Sequence, residues 1–179
     1  MIPPSSNGRL VSVIIIFHNA DQFIEEAIES VVTQTWPHWE LLLVDDGSRD
    51  TSREIAERYR QRIPDQVRIL EHPDGTNQGM SASRNLGLAA ARGDFVAFLD
   101  ADDVYLPQRL ERHVGQFKQH PEAGAVQSCI EYWHSWADSA RARQDVPGRP
   151  PPVRLGTPIK PPELLLLLLE SHGATVAGI

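Results

Sequence analysis

The sequence predicts an α/β fold, a mostly parallel sheet with helices on both faces, and three observations carry that prediction. Short runs over residues 11–17, 40–44 and 95–99 are too continuously apolar for strands with one wet face. They alternate with stretches of helical period, the order expected when right-handed crossovers join parallel strands. Two of the runs stop abruptly in acid, at Asp45-Asp46 and at Asp100-Ala101-Asp102-Asp103, and a parallel sheet brings both acidic ends to one edge.

Taken in order, residues 11–17 read as a central strand. From Asn19 the period changes: Phe23, Ile24, Ala27, Ile28, Val31 and Val32 recur at helical spacing, and Asn19 with Gln22 is spaced as a capping box. Trp36-Pro37-His38-Trp39 breaks this helix, and a second strand over 40–44 ends at Asp45-Asp46-Gly47-Ser48. A weaker helix over 51–61 is followed by a short third strand over 67–70 and by a stretch, 74–79, that is a loop by composition. The helix over 81–91 is dominated by alanine and leucine, and Arg92-Gly93 is its expected stop. After the acid-tipped strand comes a helix beyond Pro107 with Leu106, Leu110, Val114 and Phe117 on one face, and residues 123–132 are a candidate strand. Past Trp136 the pattern dissolves, and the proline-rich segment 147–162 reads as a loop or boundary, with 141–162 expected to be mobile. A short leucine-rich helix is expected over 162–172, and the last residues resemble the start of another apolar element.

The 179 residues suffice for one sizeable core. With 17 basic and 24 acidic residues the formal charge is 17 − 24 = −7, which disfavours a nucleic-acid partner, and no basic stripe compensates. Cys129 is the single cysteine, so no internal disulfide forms and a reducing cytoplasm is the expected setting. The first eight residues lack a signal pattern, and even the six leucines 164–169 fall far short of the ~20 apolar residues of a membrane helix.

Asp100 and Asp102 stand two apart, so in extended backbone their side chains share a side. Two carboxylates held together call for a cation, and hard oxygen ligands suit Mg²⁺ or Mn²⁺ where a substrate's phosphates complete the shell. The bland alternative is a solvated acidic turn. Asp46 and Asp100 are placed to accept from a base or from ribose hydroxyls. Arg84, near the start of its helix, is placed to meet a diphosphate together with helix N-terminal amides; a surface arginine is the plain alternative.

The series V-S-V-I-I-I-F-H-N-A from Val11, V-D-D-G-S from Val44, S-A-S-R-N-L-G from Ser81 and F-L-D-A-D-D from Phe98 resembles the N-terminal, nucleotide-sugar-binding half of family 2 inverting glycosyltransferases of the GT-A type. The resemblance implies a GT-A, Rossmann-like fold and a metal-assisted transfer, with inversion, from a nucleoside-diphosphate sugar to an unnamed acceptor such as a glycan or lipid-linked sugar. It implies that Ile16 and His18 line the nucleoside pocket, that Asp46 binds the base and that Arg84 lies near base or diphosphate. Asp100 would approach ribose or metal and Asp102 would hold the metal. His18 has an alternative as a polar residue bonded within its turn, and Ile16 stands where the family usually has proline.

The family's general base is commonly an acid in a Glu-Asp pair of the acceptor half, and this sequence contains no such pair. The chain is therefore expected to be one truncated domain over 1–179. Its core, 9–133, binds nucleotide-sugar, its remainder, 134–179, is a loop and partial acceptor-side segment, and donor hydrolysis would be weak at most. Trp133, His134 and Trp136 are candidates for an acceptor wall or for core packing, and peripheral membrane association is left open. A non-catalytic nucleotide-sugar-binding module is the main alternative. A phosphoacceptor domain would want a lysine closing a later strand, which neither Lys118 nor Lys160 does, and the glycine motifs of dinucleotide and P-loop sites are absent.

Overall fold

The computed structural model describes residues 8–128, 130–132, 146–147, 158–160 and 163. Contacts divide the chain into two units, Met1–Gln116 and Phe117–Ile179. In the first unit β1 (Val11–Phe17), β2 (Trp39–Asp45), β3 (Val67–Glu71) and β4 (Phe95–Asp100) form one sheet in the order β3-β2-β1-β4. All its pairings are parallel. Helices α1 (Ile24–Val32), α2 (Ser52–Arg62) and α3 (Met80–Ala90) connect the strands, and α4 (Arg109–Gln119) follows β4.

Side chains that alternate along the strands sort the helices to the two faces. Val13, Ile15, Phe17, Leu41 and Leu43 pack with Ile24 and Ile28 of α1, Ile55 and Tyr59 of α2, and Leu110 and Val114 of α4. Ile14, Leu42 and Val44, on the opposite face, pack with Leu86 and Ala90 of α3. Because β1 and β2 are wet on neither face, they read as unbroken apolar runs rather than as alternation. The chain steps outward from β1 to β2 to β3, then returns through α3 to β4 on the other side of β1. Order therefore reverses between β1 and β4, and a crevice opens beyond the carboxyl ends of strands at such a reversal. Register places Asp100 beside Ile16, Ile16 beside Val44, and Phe17 beside Asp45.

The opposite edge of the sheet is fixed by a buried carboxylate that sequence reading passed over. Glu40 accepts from Ser12 Oγ at 2.6 Å, from the Arg92 amide at 2.7 Å and from Arg68 Nη2 at 3.0 Å. Burial alone would push its carboxyl up, but these bonds and the Arg68 charge outweigh it and hold Glu40 below the usual range. Gly93 belongs to this corner. A Cβ there would stand 2.6 Å from the Ser12 amide nitrogen, so the residue serves close approach and not a left-handed helix cap.

Several expectations are corrected. The Asn19–Gln22 capping box does not form: α1 starts at Ile24 without a side-chain cap, and Asn19 instead has a left-handed backbone, φ 51°. Leu106 precedes α4 and is 72% exposed, because its helix begins only at Arg109, so the buried face rests on Leu110 and Val114. In the second unit, among the described residues of the candidate strand 123–132, Glu131–Tyr132 alone form a strand, β5, paired antiparallel with β6 (Val146–Pro147). Glu163 is exposed and donates its amide to the Lys160 carbonyl at 2.8 Å. Cys129, Trp133, His134, Trp136, the leucine run 164–169 and Glu170 lie outside the described residues. Among the described residues no helix is long and apolar enough to cross a membrane.

Candidate functional site

The carboxyl ends of β1 and β2 are tied together loop to loop. The Asn19 amide donates to Ser48 Oγ at 3.1 Å, the Arg49 amide to Asn19 Oδ1 at 2.8 Å, the Ala20 amide to Ser52 Oγ at 2.8 Å and the Asp21 amide to Asp50 Oδ2 at 3.0 Å. Orphan amides of two turns are thus answered by side chains of the partner turn, which holds the rim of the crevice in one arrangement.

The two acids that end β2 have separate duties. Asp45 accepts from the Ser48 amide at 2.8 Å and from Arg53 Nη1 at 3.2 Å, and Arg53 also pairs with Glu71 at the end of β3. Asp46, 5% exposed, accepts the Gln78 amide at 2.7 Å on Oδ1 and the Gly79 amide at 3.0 Å on Oδ2. Its carboxylate thereby pins the loop that leads into α3. Gly47 permits that approach: its φ is 77°, and a Cβ would stand 2.8 Å from the Asn77 amide nitrogen. His72 completes the corner, its Nε2 2.9 Å from Ser83 Oγ and 3.6 Å from Asp46 Oδ1.

Pinning α3 places Arg84 at the reversal of strand order. Its Nη2 donates to Asp100 Oδ1 at 2.8 Å, and its guanidinium carbon lies 5.9 Å from the Phe98 ring centre. Both partners stay partly open, 37% and 47% exposed, so a ligand can compete for either. Ile16, half-buried, borders the same spot through its register with Asp100. His18 is exposed on the β1 loop, with Nδ1 2.9 Å from the Asp46 carbonyl oxygen.

The expected alignment of Asp100 with Asp102 along a strand is corrected. β4 stops at Asp100, and the Asp103 amide closes a turn on the Asp100 carbonyl at 3.0 Å, so Ala101 and Asp102 are turn residues. Asp102 is exposed at the tip. Asp103, open by area yet crowded by its neighbours, has its carboxyl pushed up by desolvation first and then by the charges of Asp102 and Asp100, with Arg109 opposing. Mutual repulsion of this kind is what a divalent cation relieves, and the all-oxygen donor set fits Mg²⁺ or Mn²⁺. Among the described residues no three metal-ligating side chains converge, so phosphate oxygens of a ligand would have to complete the shell. Sequence reading missed Asn19, Ser48, His72 and Ser83 as builders of the site. Only the tolerance of asparagine for left-handed backbone marked any of them in advance.

A doubly covered parallel sheet with acid and a paired arginine gathered at its switch point is an α/β ligand-binding scaffold. The family model for glycosyl transferase family 2 matches residues 12–168, and the chain belongs to that family. The uncharacterized glycosyltransferase alr2836 of Nostoc sp. is 40% identical over 116 residues, which are 65% of this chain and 35% of the relative. The uncharacterized glycosyltransferase YibD of Escherichia coli is 43% identical over 107 residues, 60% of this chain and 30% of the relative. The chain thus spans about a third of the length of these curated relatives. Among solved structures, TarS of S. aureus in complex with UDP-GlcNAc superimposes with a TM-score of 0.57 at 28% identity, over 69% of this chain and 33% of its own. The mannosyltransferase PcManGT of Pyrobaculum calidifontis, in complex with GDP-Man and Mn²⁺, shares the fold with a TM-score of 0.56 at 24% identity, over 72% and 39%. The fold is that of GT-A glycosyltransferases.

Proposed function

We propose that this chain provides the donor side of an inverting, divalent-metal-assisted transfer of sugar from a nucleoside-diphosphate sugar. The observation that carries the reading is the half-open Arg84–Asp100 pair, 2.8 Å apart, at the switch point between β1 and β4. The UDP-GlcNAc bound by TarS, at 28% identity, supports a nucleotide-sugar ligand here.

In this reading Ile16 and His18 line the nucleoside pocket, and Asp46, through lone pairs that its amide bonds leave over, accepts from the base. Arg84 turns from Asp100 to the diphosphate, and its guanidinium presents several donors there. Asp100, so released, meets ribose or Mg²⁺/Mn²⁺, and Asp102 holds the ion. A bound ion would supply positive charge to the departing diphosphate. Proton removal from the acceptor hydroxyl is assigned to no described residue. A reducing cytoplasmic setting belongs to the same reading, and peripheral membrane association stays open.

Calorimetry with a panel of uridine, guanosine and other nucleoside-diphosphate sugars, in Mn²⁺, Mg²⁺ or EDTA, tests it. At least one donor is expected to bind, more tightly with metal. Asp102→Asn is expected to remove most of the metal's contribution, a tenfold or larger loss, with an unchanged melting temperature, because an amide lacks the charge a cation needs. Failure of every donor to bind would end the donor-site reading. A transfer assay across an acceptor panel separates an enzyme from a non-catalytic binding module.

A further inference from the structure

Asn19 is, among the described residues, the non-glycine residue with positive φ, and its side-chain amide bridges two groups whose hydrogen-bonding roles fix its own. The Arg49 backbone N–H can only donate, so the atom it meets at 2.8 Å is Asn19 Oδ1. Nδ2 is thereby turned toward His18 Nε2, 3.1 Å away, and Nδ2 can only donate, so Nε2 carries a lone pair. His18 Nδ1 lies 2.9 Å from the Asp46 carbonyl oxygen, which can only accept, so Nδ1 carries the proton. The tautomer, a matter of network logic, has one solution here.

We infer that Asn19 is a positioning residue that holds the ring of His18 in its Nδ1–H tautomer, with Nε2 kept as an acceptor. Both ring nitrogens are then engaged within the protein, and the exposed ring offers a ligand its face rather than a hydrogen-bonding nitrogen. The ionisable groups of the surrounding turns are Asp21 on the β1 side, Asp46, Arg49 and Asp50 on the β2 side, and His72 beyond Asp46. The Asp46 carboxylate faces the Gln78 and Gly79 amides, and Asp50 faces the Asp21 and Ser52 amides. The consequence for a ligand rests on the donor-site reading; the tautomer and the role of Asn19 do not.

The test is nitrogen-15 NMR of the histidine rings in the whole chain without nucleotide, with His18→Phe to assign the signal. The wild type is expected to show a protonated, pyrrole-type Nδ1 and an unprotonated, pyridine-type Nε2 at pH 7. Asn19→Asp keeps an acceptor for Arg49 but turns a second acceptor toward Nε2 in place of the Nδ2 donor, so the Nε2 signal is expected to leave its wild-type, hydrogen-bonded position. Asn19→Gly preserves the backbone conformation and leaves Nδ1 on the Asp46 carbonyl, so Nδ1 is expected to stay protonated while Nε2, no longer accepting from Nδ2, moves away from its wild-type position toward that of an unbonded pyridine-type nitrogen. A wild-type ring protonated at Nε2 overturns the inference. So does a wild-type His18 spectrum in folded Asn19→Asp or, should that variant not fold, in Asn19→Gly. Nucleotide is then added in a separate arm, so that failure of UDP and GDP to bind counts against the donor site alone.

Discussion

A carboxylate as enclosed as Asp46 needs its oxygens answered inside the protein, and the amides of Gln78 and Gly79 do so. Asp46→Asn would turn one accepting oxygen into a donor facing an N–H. It is expected to lower stability by about 1–3 kcal/mol, read as a lower urea midpoint at unchanged slope. If Asp46 also reads the base, nucleotide affinity in EDTA falls with it. An unaltered midpoint would show that water answers those amides and that the loop is not pinned there. His113 on α4 gives a second residue-scale prediction. Burial, and after it the Arg109 charge, pushes its imidazole down to about 4 from 6.5. The folded chain thus holds His113 neutral while the unfolded chain takes up a proton below about 6.5, so stability is full above that pH, declines on acidification and levels off near 4. The loss is on the order of 2–3 kcal/mol. Comparing urea midpoints at pH 7 and pH 4.5 with those of His113→Leu checks it: the variant should lose less on acidification, and an equal loss would clear His113 of the effect.

At the scale of elements, the site depends on how closely α3 lies on the sheet. Gly87 makes that approach: a Cβ there would stand 2.6 Å from Ile14 Cγ2 and 3.3 Å from Val44 Cγ2. Ile14 is β-branched and fully buried on the central strand, so it has little freedom to yield. Gly87→Ala gains about 1 kcal/mol of helix propensity against about 1–3 kcal/mol of overpacking. A lower melting temperature is expected, with weaker nucleotide binding as α3 lifts Arg84 from Asp100. A higher melting temperature with intact binding would show that the helix has slack. The same elements show what sequence can reveal. β1 and β2 were legible because burial on both faces leaves an unbroken apolar run, and α3 was placed to within a residue by its alanine and leucine content and the Arg92-Gly93 stop. The turn after β1 was not legible: the spacing of Asn19 and Gln22 suits a capping box, but Ser48 and Arg49, the actual partners of Asn19, lie some thirty residues away. The extended placement of Asp102 failed for a local reason: the Asp103 amide bonds back to the Asp100 carbonyl, so the chain turns directly after the strand and Asp102 does not continue it.

For the whole molecule, the decisive quantity is a net charge of −7 set against the proposed ligand, a nucleoside diphosphate that would bring more negative charge. The parallel sheet concentrates that conflict at one edge, where Asp100, Asp102 and Asp103 crowd together and Arg84 is already paired with Asp100. Without metal, a nucleoside diphosphate at the proposed site would approach an acidic body in which Arg84 is already paired with Asp100. Repulsion from distant charges reaches about 30 Å at 0.01 M salt and only about 8 Å at 0.15 M, whereas a contact at hydrogen-bond distance is screened far less. Raising salt across that range in EDTA should therefore remove more repulsion than attraction, and UDP affinity is expected to rise by about two- to threefold. If Mn²⁺ binds as proposed, the ion would supply the attraction, and the same salt series should leave affinity flat or falling. Calorimetric titration at matched osmolarity distinguishes the two regimes. A steep fall of affinity with salt in EDTA would contradict this account and point to several cations at the diphosphate, where the proposed site has Arg84.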